Sequence, residues 1–214
     1  EASGTGAAGV RVHALSMDGT RYITRATTDA MGAFTLHVPQ GTPVRLGAWR
    51  QGDAVPDPVS VGATDTTATI RLAAHGTLRV VATEAGGTTA LPVRVQVFPA
   101  TGMPPQVPAN WGENLPGDGR LHLAFPTNGD VSLPTPPGRW RVVVSRGPEY
   151  DLVDTTVDVR ANETTMVPAS LRRVVDTTGA LCGDFHIHTH RSPDSEDSAQ
   201  FKIATAVGDG LEIL

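Results

Sequence analysis

The stretch GDFHIHTHRSPDS, Gly183 to Ser195, carries histidines at 186, 188 and 190. In an extended chain, alternate residues point to the same side, so His186, His188 and His190 project together with Asp184. Two imidazoles spaced about 7 Å apart along a strand can share one metal ion or bridge two, as the open sites of metal-dependent hydrolases require. Asp194 and Asp197 follow within a few residues and offer carboxylate oxygens of the kind that accompany histidine at such sites. Phe185 and Ile187 alternate onto the opposite face, which suits a core. The competing reading is an exposed strand with incidental histidines.

The following residues, SPDSEDSAQFKIATAVGDG, predict a helix. Asp194 or Ser195 is placed to cap it, acidic residues fill the first turn, and Phe201, Ala204 and Val207 form an apolar stripe. LEIL at the end starts another strand, so the pattern is that of an opened βαβ unit. With its helix, the stretch resembles the first motif of the PHP (polymerase and histidinol phosphatase) metallohydrolases, DxHxHTxxSxD. Asp184, His186, His188, Thr189, Ser192 and Asp194 match that motif. The resemblance implies a distorted (β/α) barrel holding Zn, Mn or Fe. His186, His188 and Asp194 would be metal ligands, Asp184 would orient a histidine, and the chemistry would be hydrolysis of phosphoesters, amides or carbamates. It covers only residues 177–214, and the family's later ligands would lie past Leu214. This chain is therefore expected to bind its divalent metal weakly or not at all and to be inactive alone.

The elements ahead of this stretch are of another kind. Gly (23) and Pro (17) break the chain into short runs, while aromatic residues make up only 5 %, which favours strands and turns over long helices. VRVHA, FTLHV, VRLGA and TATIRL alternate apolar and polar residues through Leu72. TLRVVAT, LPVRVQVFPA, LHLAF, VSLPT, RWRVVVS, TTVDV and TTMVPASL continue the pattern. The fold class read from this is mainly β: a sandwich over 1–73, a second over 74–176, and the start of a PHP barrel over 177–214. FTLHVPQGTPVRLGAWRQG and VSLPTPPGRWRVVVSRG echo one another as strand, Pro- and Gly-containing turn, strand. Within the second sandwich ATGMPPQVPANWGENLPGDG is long for a compact domain, which makes it either a mobile loop or a contact surface.

TTDAMGAF (Thr27 to Phe34) and PQGTPVRL (Pro39 to Leu46) resemble the carboxypeptidase regulatory-like, or transthyretin-like, sandwiches. That resemblance implies one more strand ahead of EASGTGAAGVRV, so the first sandwich is expected to lack an edge strand or to borrow one from a strand or domain partner. Sandwiches ahead of a PHP barrel are similar to the carbaryl-hydrolase-like branch.

A net charge of −5 without any Lys or Arg run gives nucleic acid no electrostatic footprint, and no apolar run reaches transmembrane length. The lone Cys182 excludes an internal disulfide framework. Arg outnumbers Lys202, the only lysine, which with the sandwich pattern suggests a bacterial protein placed outside the cell, in the periplasm or on the surface. Trp140 alternates with Val142 and Val144 and is expected in the second core. Trp49 falls on the face opposite Leu46 and Ala48, where a partner domain must cover it or leave it exposed; Trp111 sits in the long loop. His13, His37, His75 and His122 are expected to face solvent. The alternative to a hydrolase is thus a non-catalytic carbohydrate- or protein-binding module, with Trp49 or Trp111 as sugar platforms.

Overall fold

Short runs of β-branched residues separated by turn-forming Gly, Asp and Pro dictate strands, and the computed structural model, which describes residues 4–214, contains eleven of them. In the first unit, β1 (Arg11–Leu15), β2 (Tyr22–Thr27), β3 (Val44–Trp49) and β4 (Val59–Val61) form an antiparallel sheet of order β2-β1-β3-β4. Its even-numbered side chains Val12, Ala14, Val44 and Leu46 are buried under Phe34, Leu36, Ala68 and Ile70. Residues 34–38 and 66–72 supply that cover in extended form, with inward side chains alternating as expected, but neither pairs into a strand. The strands expected at FTLHV and TATIRL are therefore corrected: the alternation is present and the ladder is not.

The second unit has two complete sheets. β5 (Gly76–Glu84), β8 (Asp130–Thr135) and β11 (Thr164–Leu171) form one, in the order β11-β5-β8, with β5 antiparallel to β8 and parallel to β11. β6 (Arg94–Pro99), β7 (His122–Ala124), β9 (Gly138–Ser145) and β10 (Val153–Val159) form the other, in the order β10-β9-β6-β7. Leu78, Val80 and Ala82 of β5 meet Val95, Val97, Val142 and Val144 of the facing sheet, all of them fully buried. Trp140 closes this core, donating its indole N–H to the Pro136 carbonyl at 2.8 Å. Pro134 and Pro168 fall in β8 and β11, the edges of their sheet, where a missing N–H costs no ladder bond.

Past the sandwiches, the expected start of a PHP barrel is not formed. Residues 177–198 contain no strand, and the parallel pairing there is a single bridge, Gly183 to Ile213. α1 (Ala199–Gly208) begins about one helical turn later than expected, capped not by Asp194 or Ser195 but by the Ser198 hydroxyl, which accepts from the Phe201 N–H at 3.1 Å. It docks on the second sandwich: Phe201 meets Phe125 edge to face, Arg146 donates to the Val207 carbonyl, and Arg94 pairs with Asp209. Among the described residues no helix is long and apolar enough to cross a membrane.

Candidate functional site

Two places in the fold gather titratable side chains. The first is the histidine stretch. His186 and His188 lie side by side, with ring centroids 4.7 Å apart, so the alternation argument is correct locally. His188 Nδ1 is 2.9 Å from Asp194 Oδ1 and 2.9 Å from Ser192 Oγ, so one ring nitrogen faces both partners. The Asp194 carboxyl lies below its usual range. Desolvation acts upward, and is outweighed by its backbone N–H, the Ser192 hydroxyl and His188. Asp184 turns back on its own chain and accepts from the His186 N–H at 3.0 Å, while the His190 N–H donates to the Asp197 carbonyl. His186, His190 and Asp194 are exposed, and Phe185, expected in a core, is 86 % exposed. Among the described residues no group of three His, Cys, Asp or Glu side chains could hold a metal ion.

The second place lies between the sandwiches, and it was not singled out from the sequence. β1 and β3 are buried on both faces. Their odd-numbered side chains pair His13 with Gly47 and Arg11 with Trp49 across the ladder. The cover comes from the long segment between β6 and β7, which crosses to the first unit as a strap. A 3-10 turn at Ala109–Trp111, ended by left-handed Gly112, aims the Trp111 ring into the sheet. Trp111 stacks on His13 at 4.6 Å and joins Leu15 and Trp49 in a buried cluster. Its fit requires Gly47, since a Cβ there would lie 2.1 Å from Trp111 Cζ2. Asn110 donates to the Gly19 carbonyl at 3.0 Å, and Gln51 donates to the Leu121 carbonyl at 3.1 Å. Asp53, itself buried, meets Arg50 Nε and His75 Nδ1, each at 2.8 Å, where the chain passes from one sandwich to the next.

Glu113 of the strap brings a carboxylate into this dry contact. Its oxygens face His13 Nε2, at 2.8 Å, and the Arg11 guanidinium, which also lies 4.7 Å over the Trp49 ring. Alignment with His13 is off line, so this is a close polar contact rather than a well-formed hydrogen bond, and the charge that faces Glu113 is that of Arg11. Burial, reinforced by Arg25 and Arg11, lowers the His13 pKa to about 4 and keeps the ring neutral near pH 7. Burial also raises the Glu113 pKa, against the pull of Arg11 and Arg25. The expectation that His13 and His122 face solvent is corrected: both are buried, and His122 Nε2 reaches the Pro134 carbonyl at 2.6 Å. A signal was present, because Leu15 and Trp49 place apolar surface on the face of β1 and β3 opposite their core.

No family model and no curated protein matches the chain. Among solved structures, it is similar to the shaft pilin SpaA from Lactobacillus rhamnosus GG, at 11 % identity over 81 % of this chain and 88 % of that one, with a TM-score of 0.42. It is also similar to GBS52, the minor pilin of Streptococcus agalactiae, at 14 % identity over 80 % and 86 % of the two chains and a TM-score of 0.36. The Bacillus anthracis TIE protein matches at 11 % identity and a TM-score of 0.36, and the chain spans 31 % of its length. Likeness at this level assigns no function. The PHP metallohydrolase and the carboxypeptidase regulatory-like assignments are both corrected, because neither family's model matches. The hydrolase reading further lacks its barrel start and its third ligand among the described residues. What stands is a mainly β chain of several sheets.

Proposed function

We propose that the chain is a non-catalytic structural and protein-binding module, in which the second sandwich and its strap hold the first in place for contact with a strand or domain of another protein. The observation that carries this reading is the burial of Trp49 and Trp111. Both aromatic rings that could have served as sugar platforms are enclosed with Leu15 between the sandwiches, at 4 % and 3 % exposure. A ring closed on both faces cannot stack on a glycan, so the two platforms on which the carbohydrate arm was based are taken up by the fold, which favours the protein arm. The strap also joins the units through apolar contact, hydrogen bonds and the Glu113 charge. We expect them to unfold together, as a structural module requires. The test is a glycan panel run beside thermal unfolding followed at several wavelengths. One shared transition and no glycan binding are expected; glycan binding lost on Trp49→Ala or Trp111→Ala would overturn the reading.

A further inference from the structure

The strap is anchored by its ends in the second unit and reaches the first through its side chains. The Ala100 N–H donates to the Arg139 carbonyl at 3.0 Å and the Leu121 N–H to the Val97 carbonyl at 2.8 Å, so both ends stay on the sheet of β6, β7, β9 and β10. Among the described residues, no backbone hydrogen bond joins 101–120 to the first unit. The grip there consists of Trp111 packed with Leu15 and Trp49, the Asn110 amide on the Gly19 carbonyl, and Glu113. The core of the first unit, Val12, Ala14, Val44 and Leu46, is a separate cluster on the other face of β1 and β3. The strap can therefore lift without breaking a ladder or opening either core, which is the condition for a local transition.

The polar part of that grip is titratable. His13 and Glu113 come from opposite sides of the contact, and both side chains are fully buried. Arg11 of β1 pairs with Glu113, Arg25 of β2 lies opposite His13 in the ladder, and the Tyr22 ring centroid stands 6.1 Å from the imidazole. β3 brings no charge to the ring, since its residue opposite His13 is Gly47. At neutral pH the strap thus offers one carboxylate to two arginines beside an uncharged imidazole. In acid the same place holds Arg11, Arg25 and an imidazolium against a neutral carboxyl, so attraction across the contact gives way to repulsion. Burial, Arg25 and Arg11 all act against the His13 charge, in one direction. On Glu113, burial acts upward while both arginines act downward, so its opposing effect is partly cancelled within the group itself.

We propose that the strap is an acid-released latch: protonation of His13 and Glu113 detaches Trp111 and its neighbours from the face of β1 and β3, while both units stay folded. Release uncovers Leu15, Trp49 and Trp111 and leaves the units joined where Asp53 holds Arg50 and His75. Folded His13 titrates at about 4 against an ordinary 6.5, which sets the reach of the device at up to about 300-fold in the ratio of released to docked strap. Glu113 reduces that figure. The single thermal transition expected at neutral pH does not depend on the latch, so its failure would leave the structural-module reading standing.

The test compares the 214-residue chain at about pH 7 and about pH 3.5 by tryptophan emission, acrylamide quenching and amide hydrogen exchange corrected for the intrinsic rate at each pH. In acid, emission is expected to shift red and become quenchable as Trp49 and Trp111 are uncovered. Exchange at Trp111 and Gly112, whose N–H groups are bonded within the strap's own turn, is expected to rise about tenfold or more, while β5 and β9 stay protected. His13→Gln, which takes up no proton there, should remain docked in acid; a variant that opens as the parent does would overturn the proposal. Where that variant loses β5 protection at neutral pH, the imidazole of the parent chain decides instead, followed by NMR. Its titration is expected to run in step with the emission shift, and a His13 that takes its proton while emission stays blue would overturn the latch. Emission unchanged down to about pH 3.5 would do the same. So would loss of β5 protection together with the shift, because the chain would then be unfolding as a whole.

Discussion

The two units share the strand order of one sheet and differ in how that sheet is covered. The second closes its core between two hydrogen-bonded sheets, with Leu78 and Leu171 fully buried. The first has one sheet, a cover of unpaired chain, and a strap lent by its neighbour. The difference shows that side-chain alternation and strand formation are separate conditions. Phe34 and Leu36, or Ala68 and Ile70, turn inward because their apolar surface leaves water, whereas a ladder forms only where a second backbone lies alongside.

Substitutions should separate the two regions. Leu78→Ala in β5 is expected to destabilise the protein most, by about 3 to 5 kcal/mol, because it opens a cavity in a core that is paired on every side. Leu36→Ala, half-buried in the unpaired layer, should cost about 1 kcal/mol or less, since the loose cover can settle onto the sheet. Chemical denaturation of the two variants checks the ratio, and equal losses would break the comparison. Gly47→Val tests the lent strap. It drives a side chain into Trp111 and should cost about 1 to 3 kcal/mol, with a red shift of tryptophan emission as the cluster opens.

Acidification should loosen the same contact. Folded His13 titrates at about 4 against an ordinary 6.5, so the unfolded chain binds its proton first. Stability from this group is therefore complete above pH 6.5, is lost as pH falls from 6.5 toward 4, and changes no further below that, to a limit of about 3 kcal/mol. The raised pKa of Glu113 acts in the opposite sense, because the folded state then takes up a proton before the unfolded one, and this offsets part of the loss. Denaturation between pH 4 and 7 should show the net slope, and His13→Gln should flatten it. The smallest effect belongs to the exposed histidines: His186→Ala should leave stability within about 0.5 kcal/mol, checked by the same denaturation experiment.

The mainly β class and the strands of the second unit were legible because apolar residues recur there at every second position beside turn residues, as at Leu78, Val80 and Ala82 and at Trp140, Val142 and Val144. The echo between the two units was equally legible, and it matches 34–38 and β3 to β8 and β9. Pairing at FTLHV and TATIRL was not, because a single run of residues carries no information about whether a partner strand exists. His13 read as solvent-facing for a similar reason. Its burial depends on Trp111 and Glu113, about a hundred positions away, crossing from the other unit. At the histidine stretch, local geometry was predictable, as the adjacency of His186 and His188 shows, while a metal centre needs ligands that local pattern does not supply.

The central claim, that among the described residues the first unit's cover is unpaired chain where the second unit has a hydrogen-bonded sheet, is tested most directly by native-state amide hydrogen exchange read residue by residue. The account predicts slow exchange across β5, β8 and β11 and fast exchange at 34–38 and 66–74, although the two layers occupy equivalent positions in their units. Equal and strong protection at 34–38 and 66–74 would mean that these segments are already paired, and would contradict it.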